Sequence, residues 1–328
     1  MTRIGVSAGT AEVLRLDGAQ SQCKPTTAYL LVGEGCSQSC AFCPQARVSA
    51  SKADLLSRVT WPAFERERVV AEARNAYQRG TIGRVCLQSV FSPGSWDVLL
   101  ETVAAIRKTS SVPISVSALP KARLAREALE AGADRVGLPL DAATPTLYRR
   151  VKAQDPAMAL EELARVAKEF PGRISTHLIA GMGETEEEML RQFQALADQG
   201  ITVALFAFTP VKGTPMESWE RPDLASYRII QAATHLLRSG SVRVENMSFQ
   251  EGRLASLGLS PGGTRLALGK GDAFRTTGCD SCNRPYYNES PRGPLFNYPR
   301  PLTALERDEA VRLVLERLGT GCHALETD

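Results

Sequence analysis

No apolar run in this chain approaches the roughly 20 residues needed to span a bilayer. The first 25 residues also lack an apolar signal core, since Glu12, Arg15 and Asp17 interrupt them. Charge of one sign is scarce too: the formal net charge is +3 over 328 residues, with no concentrated block. Such a balance speaks against a nucleic-acid partner or a membrane surface. No internal repeat or low-complexity tract stands out. A cytoplasmic protein is expected. At 43% hydrophobic and 23% charged residues, the chain can bury one large core, or one barrel with a small appendage.

What is present begins with eight cysteines. In a reducing cytosol, closely spaced cysteines more often bind metal than form disulfides, and here they are grouped. Cys36, Cys40 and Cys43 stand together, Cys279 and Cys282 form a pair, and Cys23, Cys86 and Cys322 are single.

Short apolar segments alternate with amphipathic ones. Strands are expected at Thr27–Gly33, Arg84–Ser89, Val112–Ala118, Asp134–Leu140, Arg173–Ala180 and Ile201–Phe208, with a seventh at Val242–Ser248. Helices are expected at Pro62–Arg79, Trp96–Lys108, Ala122–Ala131, Pro156–Phe170, Glu184–Gln199, Leu224–Arg238 and Leu302–Leu318. This alternation implies parallel strands with right-handed crossovers. Periodicity leaves open whether the units close as a barrel or lie as an open sheet; the barrel is the preferred reading, with active residues on the loops after its strands. Residues 252–301 are rich in glycine and proline and read as an irregular appendage. The expected division is an N-terminal extension over 1–25, a barrel over 26–250, and a cluster-binding extension with a terminal helix over 251–328.

GEGCSQSCAFCPQA sets the first three cysteines as Cys-x3-Cys-x2-Cys directly after a strand. Three thiolates can hold three irons of a [4Fe–4S] cubane and leave the fourth iron open. A structural zinc or iron–sulfur knot would ask for a fourth nearby Cys or His, and none lies within reach in sequence. The spacing, with Phe42 before the last cysteine, resembles the signature of the radical S-adenosylmethionine (SAM) superfamily. That resemblance implies a TIM-type (βα) barrel, partial or full, with SAM on the open iron. It also implies a one-electron donor such as ferredoxin or flavodoxin, and hydrogen abstraction by a 5′-deoxyadenosyl radical.

The resemblance extends to the biotin synthase-like branch over roughly residues 26–250. By it, Asp141 in LPLDAATPTLYRRV meets the SAM ribose, Ile179 and Gly181 in HLIAGMGETEEE lie along the adenine, and Val211 in VKGTPM contacts it. Other roles remain open: Asp141 could cap the following turn, and Glu184 could be a first-turn helix acid. The glycine-glycine-glutamate expected after the second strand is missing from VCLQSV, where Gln88 or Ser89 would have to replace it. Arg149, Arg150 or Lys152 could meet the methionine carboxylate or simply form a solvated face. Cys86 reads as core.

Cys279-x2-Cys282 on a glycine-containing turn is a chelating pair, with zinc binding or a redox dithiol as alternatives. Cys23, just ahead of the first strand, is preferred over Cys322 as a further ligand. The C-terminal segment together with CKPTTAYLL resembles the two-component lipoyl synthases. This resemblance implies sulfur insertion into an unactivated C–H of a protein-bound octanoyl chain, with an auxiliary [4Fe–4S] cluster as sulfur donor. The implied partners are an octanoylated lipoyl-domain protein and a second radical SAM subunit. Phe206 and Phe208, two apart on a strand, share a face and could line an acyl channel or fill core. His177 could be an ordinary interior residue, and Tyr286 and Tyr287 could cover the auxiliary site or a partner surface. Another enzyme of the branch, a mutase or maturase, and a non-catalytic iron–sulfur protein are the competing readings.

Overall fold

A computed structural model describes residues 2–18 and 22–319. Cys322 lies outside the described residues. Among them, no helix is long and apolar enough to cross a membrane.

Strands β1 (Arg3–Val6), β2 (Thr27–Val32), β3 (Leu55–Leu56), β4 (Val59–Thr60), β5 (Ala63–Glu65), β6 (Arg84–Ser89), β7 (Ile114–Ser117), β8 (Arg135–Gly137), β9 (Ile174–Ala180) and β10 (Thr202–Ala207) precede a small hairpin of β11 (Ser248–Gln250) and β12 (Arg253–Ser256). The main sheet has the order β10-β9-β8-β7-β6-β2-β1-β5. Its six strands from β2 to β10 are parallel, and β1 adds antiparallel to both β2 and β5. The expected parallel α/β arrangement is present as a partial barrel. Residues expected as an N-terminal extension contribute β1 to the same sheet.

The helices are α1 (Ala8–Val13), α2 (Arg66–Gln78), α3 (Ser95–Thr109), α4 (Ala122–Glu130), α5 (Pro145–Lys152), α6 (Pro156–Glu169), α7 (Glu186–Ala197), α8 (Leu224–Ser239), α9 (Pro261–Leu268) and α10 (Ala304–Arg317). Apolar stripes turn the long helices to the sheet. In α4 the stripe is Leu124, Ala125, Ala128 and Leu129, and in α6 it is Ala159, Leu163, Val166 and Ala167. Strand β9 divides its faces cleanly: Ile174, Thr176, Leu178 and Ala180 are buried, while Ser175, His177 and Ile179 turn to a cavity inside the barrel.

Two expectations fail locally. Residues 63–65, expected within a helix, pair with β1 as β5, and the helix starts at Arg66. The expected seventh strand is a 3-10 turn at Val244–Asn246 followed by the β11–β12 hairpin. There the Gln194 side chain on α7 accepts a bond from Val244 N at 2.7 Å and donates to the Glu245 carboxylate. That anchor draws the backbone away from the free edge of β10.

The glycine- and proline-rich segment takes over that edge. Thr277 Oγ1 accepts from Leu205 N at 3.0 Å, and Asn288 Nδ2 donates to Ala207 O at 2.9 Å. At the far side Ser281 O accepts from the hydroxyls of Thr26 and Thr27, both at 2.7 Å, and Asn283 Oδ1 accepts from Thr26 N at 3.0 Å. Arg84 Nε reaches Asp280 O at 3.0 Å. The segment therefore satisfies backbone groups that a strand edge would leave open, and it covers the N-terminal ends of β2 and β6. α10 then packs on α8.

Candidate functional site

TIM-type barrels usually fill their interior with Val, Ile and Leu. Here the inward positions include Cys86, Ser115, Ser117, Gly137, Ser175 and Ala204 among larger residues such as Tyr29 and Phe206, and these small side chains leave a cavity of about 250 Å3. One end is formed by the loops after the strands. Phe42, Cys43, Asp141, Ile179 and Val211 line it there.

The cysteine loop begins at Gly33, whose φ of +96° and lack of a Cβ let the chain pass Val90 O. The loop is then pinned by Cys36 N to Gln45 O at 2.9 Å, Ser37 N to Phe91 O at 2.8 Å and Ala41 N to Val151 O at 2.7 Å. Cys36, Cys40 and Cys43 are free thiols. Burial pushes Cys40 up to about 11 and Cys43 up to about 12, and each is raised further by the other cysteines of the loop. Thiols that repel one another as anions, eased only at Cys40 by Lys152, suit a cationic iron centre that would ionise and hold all three. No three His, Cys, Asp or Glu side chains among the described residues converge on one metal-ion position. A cubane takes its thiolates at separate irons, so convergence on one point is not its requirement.

Asp141 follows β8 with a φ of +68°, a left-handed backbone rare outside glycine. Bonds from Asp141 N to His177 O at 2.9 Å and from Ile179 N to Asp141 O at 2.7 Å hold it there. Its buried carboxylate accepts from Lys152 Nζ and from His177 Nε2, the latter at 2.6 Å. Burial opposes its ionisation, and Lys152 with His177 overrides that, holding the carboxyl well below its ordinary range. Lys152 is not a solvated residue: it is buried, also donates to Pro139 O at 3.0 Å, and its charge reaches Cys40. Arg150 lies instead over the Trp219 ring at 4.5 Å. Gln88 lines the cavity, whereas Ser89 Oγ is buried without a partner among the described residues.

Gly181 has a φ of +98°, and a Cβ there would lie 2.7 Å from Pro222. Its missing side chain admits Pro222, and Gly181 is not among the residues lining the cavity. Glu184 is no first-turn acid: it accepts from Gly181 N at 2.6 Å and Met182 N at 3.1 Å, and α7 is capped by Thr185. His177 packs on Phe206, with ring centroids 5.0 Å apart. Phe206 and Phe208 both line the cavity, and Phe208 is fully buried.

The opposite end of the cavity carries Cys86, Cys279 and Cys282. Cys279 Sγ lies 3.4 Å from Ser115 Oγ, and Cys282 Sγ lies 3.5 Å from Tyr29 Oη. Tyr287 packs against Tyr29 at 5.4 Å between centroids and covers this end. Cys86, expected as core, faces the cavity beside the pair; burial raises its thiol and both neighbours raise it further. The sequence signal existed in the inward register of β6 but needed the barrel to give it meaning. Cys23, expected as a further ligand, does not line this cavity; it lines a neighbouring pocket with Tyr286 and Pro291, near Arg300. Residues 24–26 lead from it into β2, and Thr26 N is bonded to Asn283 in the segment that carries the cysteine pair.

Comparison with known proteins agrees with this architecture. The family model described as the radical SAM superfamily matches residues 30–196, half of the chain. The biotin synthase of Synechococcus elongatus is 27% identical over 218 residues, 64% of this chain and 66% of that protein, so the match spans just under two thirds of that relative's length. The biotin synthase of Xanthomonas axonopodis pv. citri is 29% identical over 251 residues, 71% of this chain and 68% of that protein. The crystal structure of methylornithine synthase shares the fold over 95% of both chains, with a TM-score of 0.55 at 17% identity.

Proposed function

The chain belongs to the radical SAM superfamily, and from that premise we propose that it inserts sulfur into an unactivated C–H bond of a protein-bound octanoyl chain, as one subunit of a two-component lipoyl synthase. The observation that carries the reading is a single cavity with one set of thiols at each end, Cys43 at one and Cys86, Cys279 and Cys282 at the other. Sulfur insertion needs a hydrogen-abstracting centre and a sulfur source on either side of one carbon. A rearrangement of a carbon skeleton has no use for the second set.

Cys36, Cys40 and Cys43 would hold a [4Fe–4S] cluster, which would supply the one-electron chemistry that opens SAM for hydrogen abstraction. The chain's own residues position SAM. Both Asp141 oxygens already accept one bond, from Lys152 and His177, and each retains a lone pair that can accept a ribose hydroxyl. Ile179, Val211 and Phe42 offer apolar contact at the same end, and Gly181 keeps the neighbouring backbone compact. Phe206 stands between the two ends and, with Val116 and Ala204, gives an acyl chain an apolar path that also excludes water. At the far end Cys279 and Cys282 would help hold an auxiliary [4Fe–4S] cluster that would supply the sulfur. The partners in this reading are an octanoylated lipoyl-domain protein, a second radical SAM subunit, and ferredoxin or flavodoxin as electron donor.

The test is anaerobic incubation with SAM, dithionite and an octanoyl-lysine peptide, with and without a homologous partner subunit, followed by mass spectrometry. One sulfur added per octanoyl chain by this subunit is the expected product. Formation of 5′-deoxyadenosine with no sulfur-bearing peptide in either case, both clusters being intact, would overturn the lipoyl assignment.

A further inference from the structure

The floor of the barrel carries a set of groups that the Cys279–Cys282 pair alone does not explain. In the parallel register Tyr29 of β2 stands beside Cys86 of β6, and Cys86 beside Ser115 of β7. Paired positions on neighbouring strands point to the same face, so these three side chains form one row on the cavity wall. The loop carrying the cysteine pair lands on that row. Cys279 Sγ meets Ser115 Oγ, and Cys282 Sγ meets Tyr29 Oη, on either side of Cys86. Tyr29 Oη also accepts from Asn283 N at 3.2 Å and Arg284 N at 2.8 Å, fixing the loop's descent.

Charge points the same way. Arg284 is half-buried and faces the cavity, lies over the Phe206 ring at 3.9 Å, and donates to Thr277 O at 2.9 Å. Its other terminal nitrogen lies 3.7 Å from Cys282 Sγ. No carboxylate lies within ion-pair distance of it among the described residues; the buried Glu289 acts on it only from farther off. A guanidinium held in a cavity wall favours an anion close to it. Thiolates bound to a cluster of net negative charge would supply one beside Cys282.

We propose that Cys86, Cys279 and Cys282 are the protein thiolates of the auxiliary cluster, built across the barrel floor with Arg284 as its counter-charge, and that Cys23 is not a ligand. The assignment rests on the sulfur-insertion reading for the cluster's purpose, but the binding site stands on the row of side chains itself. It makes the cluster a bridge between β6 and the C-terminal segment, joining residues nearly 200 positions apart in sequence.

The test uses the full chain reconstituted anaerobically with iron and sulfide, read by iron and sulfide content and Mössbauer spectroscopy. Native protein is expected to hold about eight irons in two cubanes, and the Cys36→Ala, Cys40→Ala, Cys43→Ala variant about four. In that background Cys86→Ala should lose the remaining iron, while Cys23→Ala should keep it. Cys86→Ser, in the otherwise native chain, separates ligand loss from misfolding. It should hold the SAM cluster and still cleave SAM, with the auxiliary spectrum lost or shifted. An unchanged auxiliary spectrum in both Cys86 variants, or loss of iron on Cys23→Ala alone, overturns the assignment and leaves sulfur insertion standing. Absence of iron from the three-alanine background overturns both.

Discussion

Lys152 and Asp141 meet where almost no water reaches, their side chains 3% and 4% exposed. Each charge is tolerable there only because of the other, and His177 completes the arrangement. Asp141 is held below its ordinary pKa, so its contribution to stability is complete above the unfolded carboxyl value of about 4 and fades as pH falls through the lower folded value. Lys152 is held above its ordinary value, burial opposing and Asp141 prevailing. Its contribution is complete below about 10.4 and is lost as pH rises through the higher folded value. Between those limits the pair should add no pH dependence. Lys152→Met strands the carboxylate, and urea unfolding of the apoprotein should report a loss of about 3–5 kcal/mol. Adding Asp141→Asn should recover part of that loss. A cost below about 1 kcal/mol for Lys152→Met would mean that the carboxylate finds water, contrary to its burial.

At the scale of elements, the connection from β2 into the cysteine loop depends on one glycine. A Cβ on Gly33 would sit 2.2 Å from Val90 O and 2.8 Å from the Ser95 Cβ, and its φ of +96° is already unfavourable to other residues. Gly35 is two residues along, with a φ of +65° and open space, nothing lying within 4 Å of where a Cβ would stand. Gly33→Ala should therefore lower the melting temperature and at least halve iron uptake at Cys36, Cys40 and Cys43. Gly35→Ala should cost only about 1–2 kcal/mol of backbone strain and leave iron uptake intact. Equal iron losses in the two variants would show that backbone conformation, rather than the close approach to Val90, governs the loop. The helices needed less from their surroundings. Thr185 with Glu188 and Thr303 with Glu306 form capping boxes, and apolar spacing announces both helices in the sequence.

For the whole molecule, the C-terminal segment is part of the barrel wall. It bonds to the free edge of β10, to the start of β2, and through Arg317 to Glu186 on α7 at 3.1 Å. A chain ending at residue 250 should leave the β10 edge unpaired and uncover the face of α8 that α10 occupies. Strong binding of a hydrophobic dye, together with concentration-dependent aggregation, is expected of it. A monomeric, cooperatively melting product with no dye binding would show that the barrel stands without its C-terminal wall.

The alternation of strands and helices and the cysteine triplet after the first parallel strand were legible in the sequence, because each depends on local spacing; the other residues at that end of the cavity were implied by the family resemblance. Phe42, Asp141, Ile179 and Val211 fell where the loops after the strands had to lead. The barrel floor was not legible. Whether Cys86 faces inward depends on register across three strands, and whether Cys279 and Cys282 lie beside it depends on a segment almost 200 residues later crossing the sheet. The same holds for the segment at Val242–Ser248, whose pattern suits a strand but whose hydrogen bonds are taken by α7. Local spacing constrains what one element presents; only the packed chain decides which distant element it presents it to.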